Sequence, residues 1–265
     1  MSGFETMLEQ VRSASADHPL VVLVMTFLAM WLASAIGGWL SRRRVAALDG
    51  REVSVIVETA VLTLLALIIG FTFSMALTRY DQRKNLEEEE ANAIGTAWVR
   101  AELLPSGDTA KLRAVLKNYL EQRILWYVAR DVDETAKIDA QTGALQGAMW
   151  AAVAAPANAQ PSAVNALAVA SINDTLNSQG YTQAAWLNRI PFAAWALLVA
   201  LALFCSVLVG FEAERAKAGR GVAFVLPVSV AIACCLIADL ESPRVGLIHV
   251  QPQNLLILAQ SVRGQ

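Results

Sequence analysis

Four long apolar runs set the terms for everything else in this chain of 265 residues. They are Pro19 to Leu40, Val53 to Thr78, Ile190 to Phe211 and Gly221 to Ala238. A helix needs about 20 such residues to cross a bilayer, and inside lipid the backbone must satisfy its own hydrogen bonds. The runs therefore predict four transmembrane helices. Pro19 and Pro191 suit first helical turns, whereas Pro227 inside the fourth run predicts a kink. The first run is too long for the core of a cleaved signal, and the flank before it, MSGFETMLEQ, is acidic rather than basic.

Composition agrees. The chain is 56% hydrophobic and only 17% charged, well below the usual quarter for soluble domains. A net charge of −2 and the lack of a basic stripe give no reason to expect nucleic acid as a partner. Cys205, Cys234 and Cys235 sit in apolar runs without metal or redox spacing and read as packing residues.

Between the second and third runs, Arg113 to Tyr127 places apolar residues at a helical period. Ala-rich Gly143 to Ala155 and Ala163 to Leu176 also read as helical, with a loop over AAPANAQPSA, Ala154 to Ala163. The expected fold is all-α: a polytopic membrane protein with four transmembrane helices and a helical extramembrane domain between the second and third. Its divisions are an N-terminal segment over 1–18, helices one and two over 19–78, and the helical domain over 79–189. Helices three and four follow over 190–240, and a C-terminal segment, 241–265, packs on the helical domain.

Two loops are densest in arginine and lysine: SRRRVAALDGRE, and the segment holding Arg215, Lys217 and Arg220. The positive-inside tendency places such loops in the cytoplasm and the helical domain on the far side. The opposite flanks carry Arg12, Arg79, Arg83, Lys84, Arg189 and Arg244, so the bias is small.

Glu87 to Glu90 resembles a cation cluster, but four consecutive helical residues fan around the axis and cannot converge on one ion. They read as a solvated face paired with Arg83 and Lys84. Ala93, Ala97 and Ala101 form a small-residue stripe for close packing. Asn92 and Gly95 are poor helix-interior choices that imply a tertiary contact.

In the second run, Thr63, Leu67, Phe71, Ser74 and Thr78 share one helix face. On a pore wall, hydroxyls would meet a partly dehydrated ion and Leu67 with Phe71 would close the path by dewetting. On a plain anchor, the hydroxyls would bond back to their own helix. Glu58 is the one ionisable residue within the runs. It is a candidate selectivity residue or a carboxylate at a helix start. His249 reads as a packed or interface histidine, with no second ligand at metal spacing. No catalytic set or phosphate-binding loop is present, so no enzyme, cofactor or metal is expected.

The stretches GFTFSMALTRYD and EEANAIGTAWVRAELLP, with ADLESPRVGLIHVQPQNLLIL after the fourth run, resemble a bacterial membrane family described as bestrophin-like. That family is of unknown function and distantly similar to bestrophin ion channels. The resemblance is carried by Gly70, Arg79, Tyr80, Glu90, Asn92, Arg100, Leu103-Leu104-Pro105, Asp239, Leu240, Pro243 and Gly246. It implies a homo-oligomer, a pentamer in bestrophins, whose second helices surround an ion pathway through membrane lipid. Carried over from the Gly70-Phe71 pair, the neck is Thr63, Leu67 and Phe71. Thr63 departs from the apolar pattern of true bestrophins. Their acidic calcium clasp is reduced to Asp239 and Glu241, so calcium gating is not implied. The resemblance implies multi-pass insertion in the bacterial plasma membrane with the helical domain cytoplasmic, opposite to the arginine bias. A non-conducting scaffold or signalling module is the alternative reading.

Overall fold

The computed structural model describes residues 18–44, 51–217, 221–244 and 246–263. The N-terminal segment up to residue 17, with Arg12, lies outside the described residues, as do Arg220 and the side chains of Arg44 and Arg51. The described residues are helical without strands: α1 (Pro19–Arg44), α2 (Arg51–Arg100), a 3₁₀ turn (Ala101–Leu103), α3 (Ser106–Val128), α4 (Val132–Ala159), α5 (Ala163–Leu187), α6 (Phe192–Arg215), α7 (Val222–Glu241) and α8 (Gln253–Arg263). Four candidate spans satisfy length and apolarity: Pro19–Arg43, Val55–Leu103, Ala163–Arg215 and Phe224–Glu241. At about 1.5 Å per residue, the 50 residues of α2 reach about 75 Å, more than twice the hydrocarbon core. Part of this helix must therefore leave the membrane.

The chain divides into two compact units. The first comprises Met1–Thr78 and Arg189–Ile248. Here α1 packs along α6 and α7. The contact is backbone to backbone. A methyl group on Gly37 would lie 2.0 Å from the Val207 carbonyl oxygen, and one on Gly210 would lie 2.0 Å from that of Ser34. Lipid tails are as apolar as leucine, so close packing of small residues is what drives helices together there. Ala33, Ser34, Ala202, Cys205 and Ser206 complete that buried seam. Phe27 stacks on Phe224 at 6.4 Å between α1 and α7. Pro227 does not interrupt α7, which runs from Val222 to Glu241. Five residues into the helix, it forfeits a single backbone bond.

The second unit comprises Arg79–Asn188 and His249–Gln265. Its α3 packs on α4 and α8, and α4 packs on α5. Leu112, Leu116, Tyr119, Leu120, Met149, Val153 and Ile172 form the centre of its core. The helices predicted at Arg113–Tyr127, Gly143–Ala155 and Ala163–Leu176 are present and longer. The loop expected over Ala154 to Ala163 is corrected. Helix α4 continues to Ala159, and only Gln160 to Ser162 are non-helical. Pro156 is buried beside fully buried Val153, and its missing N–H falls in the last turn, where the packing outweighs one lost bond. Ser162 then caps α5 by accepting from Asn165 N at 3.0 Å.

Candidate functional site

The apolar half of α2 touches its own unit along a narrow strip. Leu65, Thr72 and Ala76 recur at helical spacing and are at most 2% exposed. Away from that strip, Leu67 is 51% and Phe71 60% exposed, and Thr63, Ser74 and Thr78 are exposed as well. Leu64, Phe73, Met75 and Leu77 are also exposed, so most of the circumference is left for lipid or for neighbouring copies. The Thr63 hydroxyl donates to the Thr59 carbonyl at 2.8 Å and that of Thr78 to the Ser74 carbonyl at 2.9 Å. Such bonds satisfy the donor and leave hydroxyl lone pairs facing outward. Glu58 is seven residues before Leu65 and is half-buried, within electrostatic reach of Glu212 on α6. Seven residues return a helix to nearly the same face, so Glu58 belongs with the packed strip and not with Leu67 and Phe71. Gly70 has no neighbour within 4 Å of where a side chain would start.

The motif residues beyond Thr78 organise the second unit. Arg79 donates to the Asn188 side chain, and Tyr80 packs against the core. The solvated-face reading of Glu87 to Glu90 is half overturned: Glu87 and Glu90 are 1% and 0% exposed, and only Glu88 and Glu89 face out. Glu90 accepts from Arg123 on α3 through both carboxylate oxygens, and its Oε2 also accepts from Tyr127 at 3.3 Å and Thr182 at 3.2 Å. Glu87 accepts from Asn254 Nδ2 at 2.6 Å and from Leu255 N at 3.0 Å, holding the start of α8. Arg83 is also buried and donates to the Ala185 carbonyl. Neither buried carboxylate is solvated, because every third or fourth residue of this stretch faces the core.

Burial raises the Tyr119 and Tyr127 hydroxyls far above their ordinary range, reinforced by the Glu90 charge. Burial works against the Arg123 charge, but Glu90 outweighs it and leaves the guanidinium more firmly protonated. Arg123 also lies 4.5 Å from the Trp126 ring centre, and Trp126, Tyr127 and Trp186 pack together at 4.4 to 5.4 Å. Ala97 and Ala101 of the expected stripe are fully buried, and Ala93 is partly so. Gly95 admits Leu258, whose methyl would lie 3.3 Å from an added carbon. Asn92 faces outward into a groove of about 560 Å³ between α2 and α8, bordered also by Thr96, Arg100, Asn254 and Ser261. Arg100 additionally reaches the Leu167 carbonyl at 3.5 Å.

The block after α7 is a pair of backbone clasps in the first unit. Asp239 accepts from Leu247 N at 2.8 Å and Ile248 N at 2.9 Å. Gly246, at φ +146°, passes so close that a side chain there would meet Asp239 Oδ1 at 2.4 Å. Glu241 accepts from Ile190 N and from Trp195 Nε1 at 3.1 Å, tying the start of α6 to the end of α7. Pro243, between Glu241 and Gly246 in sequence, is buried. Both carboxylates are thus occupied by N–H donors. Among the described residues, no group of three or more metal-type ligands occurs. His249 is partly buried with Nδ1 unpartnered, and Cys205, Cys234 and Cys235 are free thiols, the first two buried.

Sequence reasoning did not single out Arg123, Thr182, Asn254, Gly37 or Gly210. The glycines carried a readable signal, since Ala33, Ser34, Gly37 and Gly38 bring small residues to one face of an apolar helix.

A polytopic all-α membrane protein with an overlong second helix and a helical unit built on that helix's second half is the class these observations define. The Bestrophin-like domain model matches residues 21–255, and the chain belongs to that bestrophin-like family. No curated protein matches it. Its fold is shared with solved single-substitution variants of a bacterial bestrophin homolog from Klebsiella pneumoniae. One is 14% identical over 92% of this chain and 98% of its own, with a TM-score of 0.68. Another is 15% identical over 91% and 98%, with a TM-score of 0.67. A third solved structure, described as a membrane protein, is 15% identical over 93% and 96%, at 0.68.

Proposed function

We propose that the protein is a bestrophin-like ion channel: a homo-oligomer, pentameric by family resemblance, in the bacterial plasma membrane. In it, copies of α2 surround a central path for inorganic ions. The exposed Leu67 and Phe71 on a helix whose opposite strip is packed are the observation that carries this reading. A face that its own unit leaves bare, within a segment too apolar for water, suits contact with other copies around an axis. Leu67 and Phe71 form the neck, Thr63 borders it on one side, and Ser74 and Thr78 offer hydroxyl oxygens on the other. Residues 79–188 form the extramembrane domain, cytoplasmic by family resemblance, with 249–265 packed on it. Glu58 is a weaker candidate for selectivity, since its position with Leu65 turns it from the neck face.

Recording from purified protein in planar bilayers tests the proposal. Wild-type protein conducts, and Leu67→Ala and Phe71→Ala each raise single-channel conductance by widening the neck. Silent bilayers from wild type and both variants, at an oligomer size preserved in all three, would instead identify a non-conducting scaffold.

A further inference from the structure

The outward stripe of α1 runs Leu28, Leu32, Ile36, Trp39 and Arg43, at spacings of four, four, three and four. Each of its apolar members is 46 to 58% exposed. The opposite side, with Met30, Ala33, Ser34 and Ser41, is buried. The stripe therefore passes from aliphatic to indole to guanidinium toward the helix end, the order in which a bilayer passes from hydrocarbon to interface to headgroup. The two arginines at that end are held differently. Arg42 forms a bidentate pair with Glu214 on α6, at 2.8 and 3.1 Å. The Arg43 guanidinium carbon sits over the Trp39 ring, 3.9 Å from its centre, and no carboxylate among the described residues pairs with it. Stacking on indole fixes a guanidinium while leaving its in-plane N–H groups free, and that edge matches the oxygens of a phosphate.

We propose that Trp39 and Arg43 form a binding site for the phosphate headgroup of an anionic phospholipid, seated where the α1 stripe leaves the hydrocarbon. The acyl chains lie along Leu28, Leu32 and Ile36. A lipid is the occupant that supplies both an anion for Arg43 and hydrocarbon for the stripe in one molecule. The site is independent of whether the protein conducts.

Full-length protein in neutral detergent is titrated with phosphatidylglycerol, with phosphatidylcholine, and with inorganic phosphate, following thermal stability and oligomer size. Phosphatidylglycerol stabilises the wild type at lower concentration than phosphatidylcholine, and inorganic phosphate has no effect. Arg43→Gln raises the phosphatidylglycerol midpoint about fivefold, the size expected for one basic residue at a membrane surface. Trp39→Leu weakens it as well, Trp39→Phe retains most of it, and Arg42→Gln leaves it unchanged because Glu214 already occupies that side chain. Equal response to both lipids in wild type, or an unchanged midpoint in Arg43→Gln, overturns the site. Stabilisation by inorganic phosphate would assign it to a free anion and overturn the lipid. A change of oligomer size in Arg43→Gln with no change in lipid response would show that a second copy covers the stripe.

Discussion

The two units solve the same packing problem with opposite chemistry. In the first, α1 and α6 meet through glycines at carbonyl contact, and its carboxylates at Asp239 and Glu241 work at helix ends on backbone N–H groups. In the second, a fully buried Glu90–Arg123 pair sits among Trp126, Tyr127 and Trp186. The difference follows from solvent. A unit facing lipid gains nothing from sequestering apolar side chains, so contact distance decides its stability. A unit facing water has the hydrophobic effect to bury aromatics. It can then carry an internal ion pair, whose Glu90 carboxylate is fully engaged while Arg123 Nη1 has no hydrogen-bond partner.

That contrast breaks most sharply at Glu90. Glu90→Gln keeps the volume but leaves the buried Arg123 charge uncompensated, which costs about 3–5 kcal/mol. The second unit unfolds at lower temperature, read by fluorescence of Trp126 and Trp186 with the other five tryptophans replaced by phenylalanine. Replacing both partners, Glu90→Leu with Arg123→Met, recovers much of the loss. If the double variant is no more stable than Glu90→Gln, the pair is not what the unit depends on.

The next effect belongs to the first unit. Gly37→Ala or Gly210→Ala places a methyl 2.0 Å from a backbone carbonyl, which no side-chain rotation relieves. Overpacking of this kind costs roughly 1–3 kcal/mol. In the same tryptophan-replaced background, detergent-solubilised variants should lose thermal stability while the fluorescence signature of Trp126 and Trp186 persists. An unchanged midpoint for both would contradict the close crossing of α1 and α6.

Much of the contrast was legible in the sequence, and its limits are physical. Four spans followed from run length, since a bilayer imposes one dimension on every crossing helix. The helices of the second unit followed from period, but Pro156 misled, because a proline in a last turn costs little when its neighbour Val153 is buried. Glu87 and Glu90 misled for another reason. A carboxylate's burial depends on partners at Arg123, Thr182 and Asn254, which lie 33 to 167 residues away and leave no local trace. The outward stripe of Thr63, Leu67 and Phe71 was readable from spacing. Glu58's place on the opposite strip was readable too, from its seven-residue interval to Leu65.

A smaller effect sharpens the description of the aromatic core. Tyr119 and Tyr127 stay neutral in the fold far above their ordinary pKa because burial and Glu90 oppose a phenolate. Their contribution is complete below the unfolded tyrosine pKa of about 10 and is lost as pH rises from there. The second unit should lose stability above about pH 10, and the Tyr119→Phe, Tyr127→Phe variant should show a shallower alkaline slope. An identical slope would mean the two hydroxyls are solvated in the fold.

The smallest expected effect is the most discriminating, because it puts the same substitution in the other unit. Gly95 also faces a close neighbour, but that neighbour is the Cδ1 methyl of Leu258 at 3.3 Å, the end of a flexible side chain on α8. Gly95→Ala needs a shift of a few tenths of an ångström, and alanine in place of glycine inside a helix contributes about 0.5–1 kcal/mol by limiting the unfolded chain. The two terms nearly cancel, so Gly95→Ala should be neutral or slightly stabilising by thermal denaturation, where Gly37→Ala is clearly destabilising. A loss at Gly95 as large as at Gly37 would mean that α8 is held against α2 as rigidly as α6 against α1. The second unit would then depend on contact distance as well as on its buried pair.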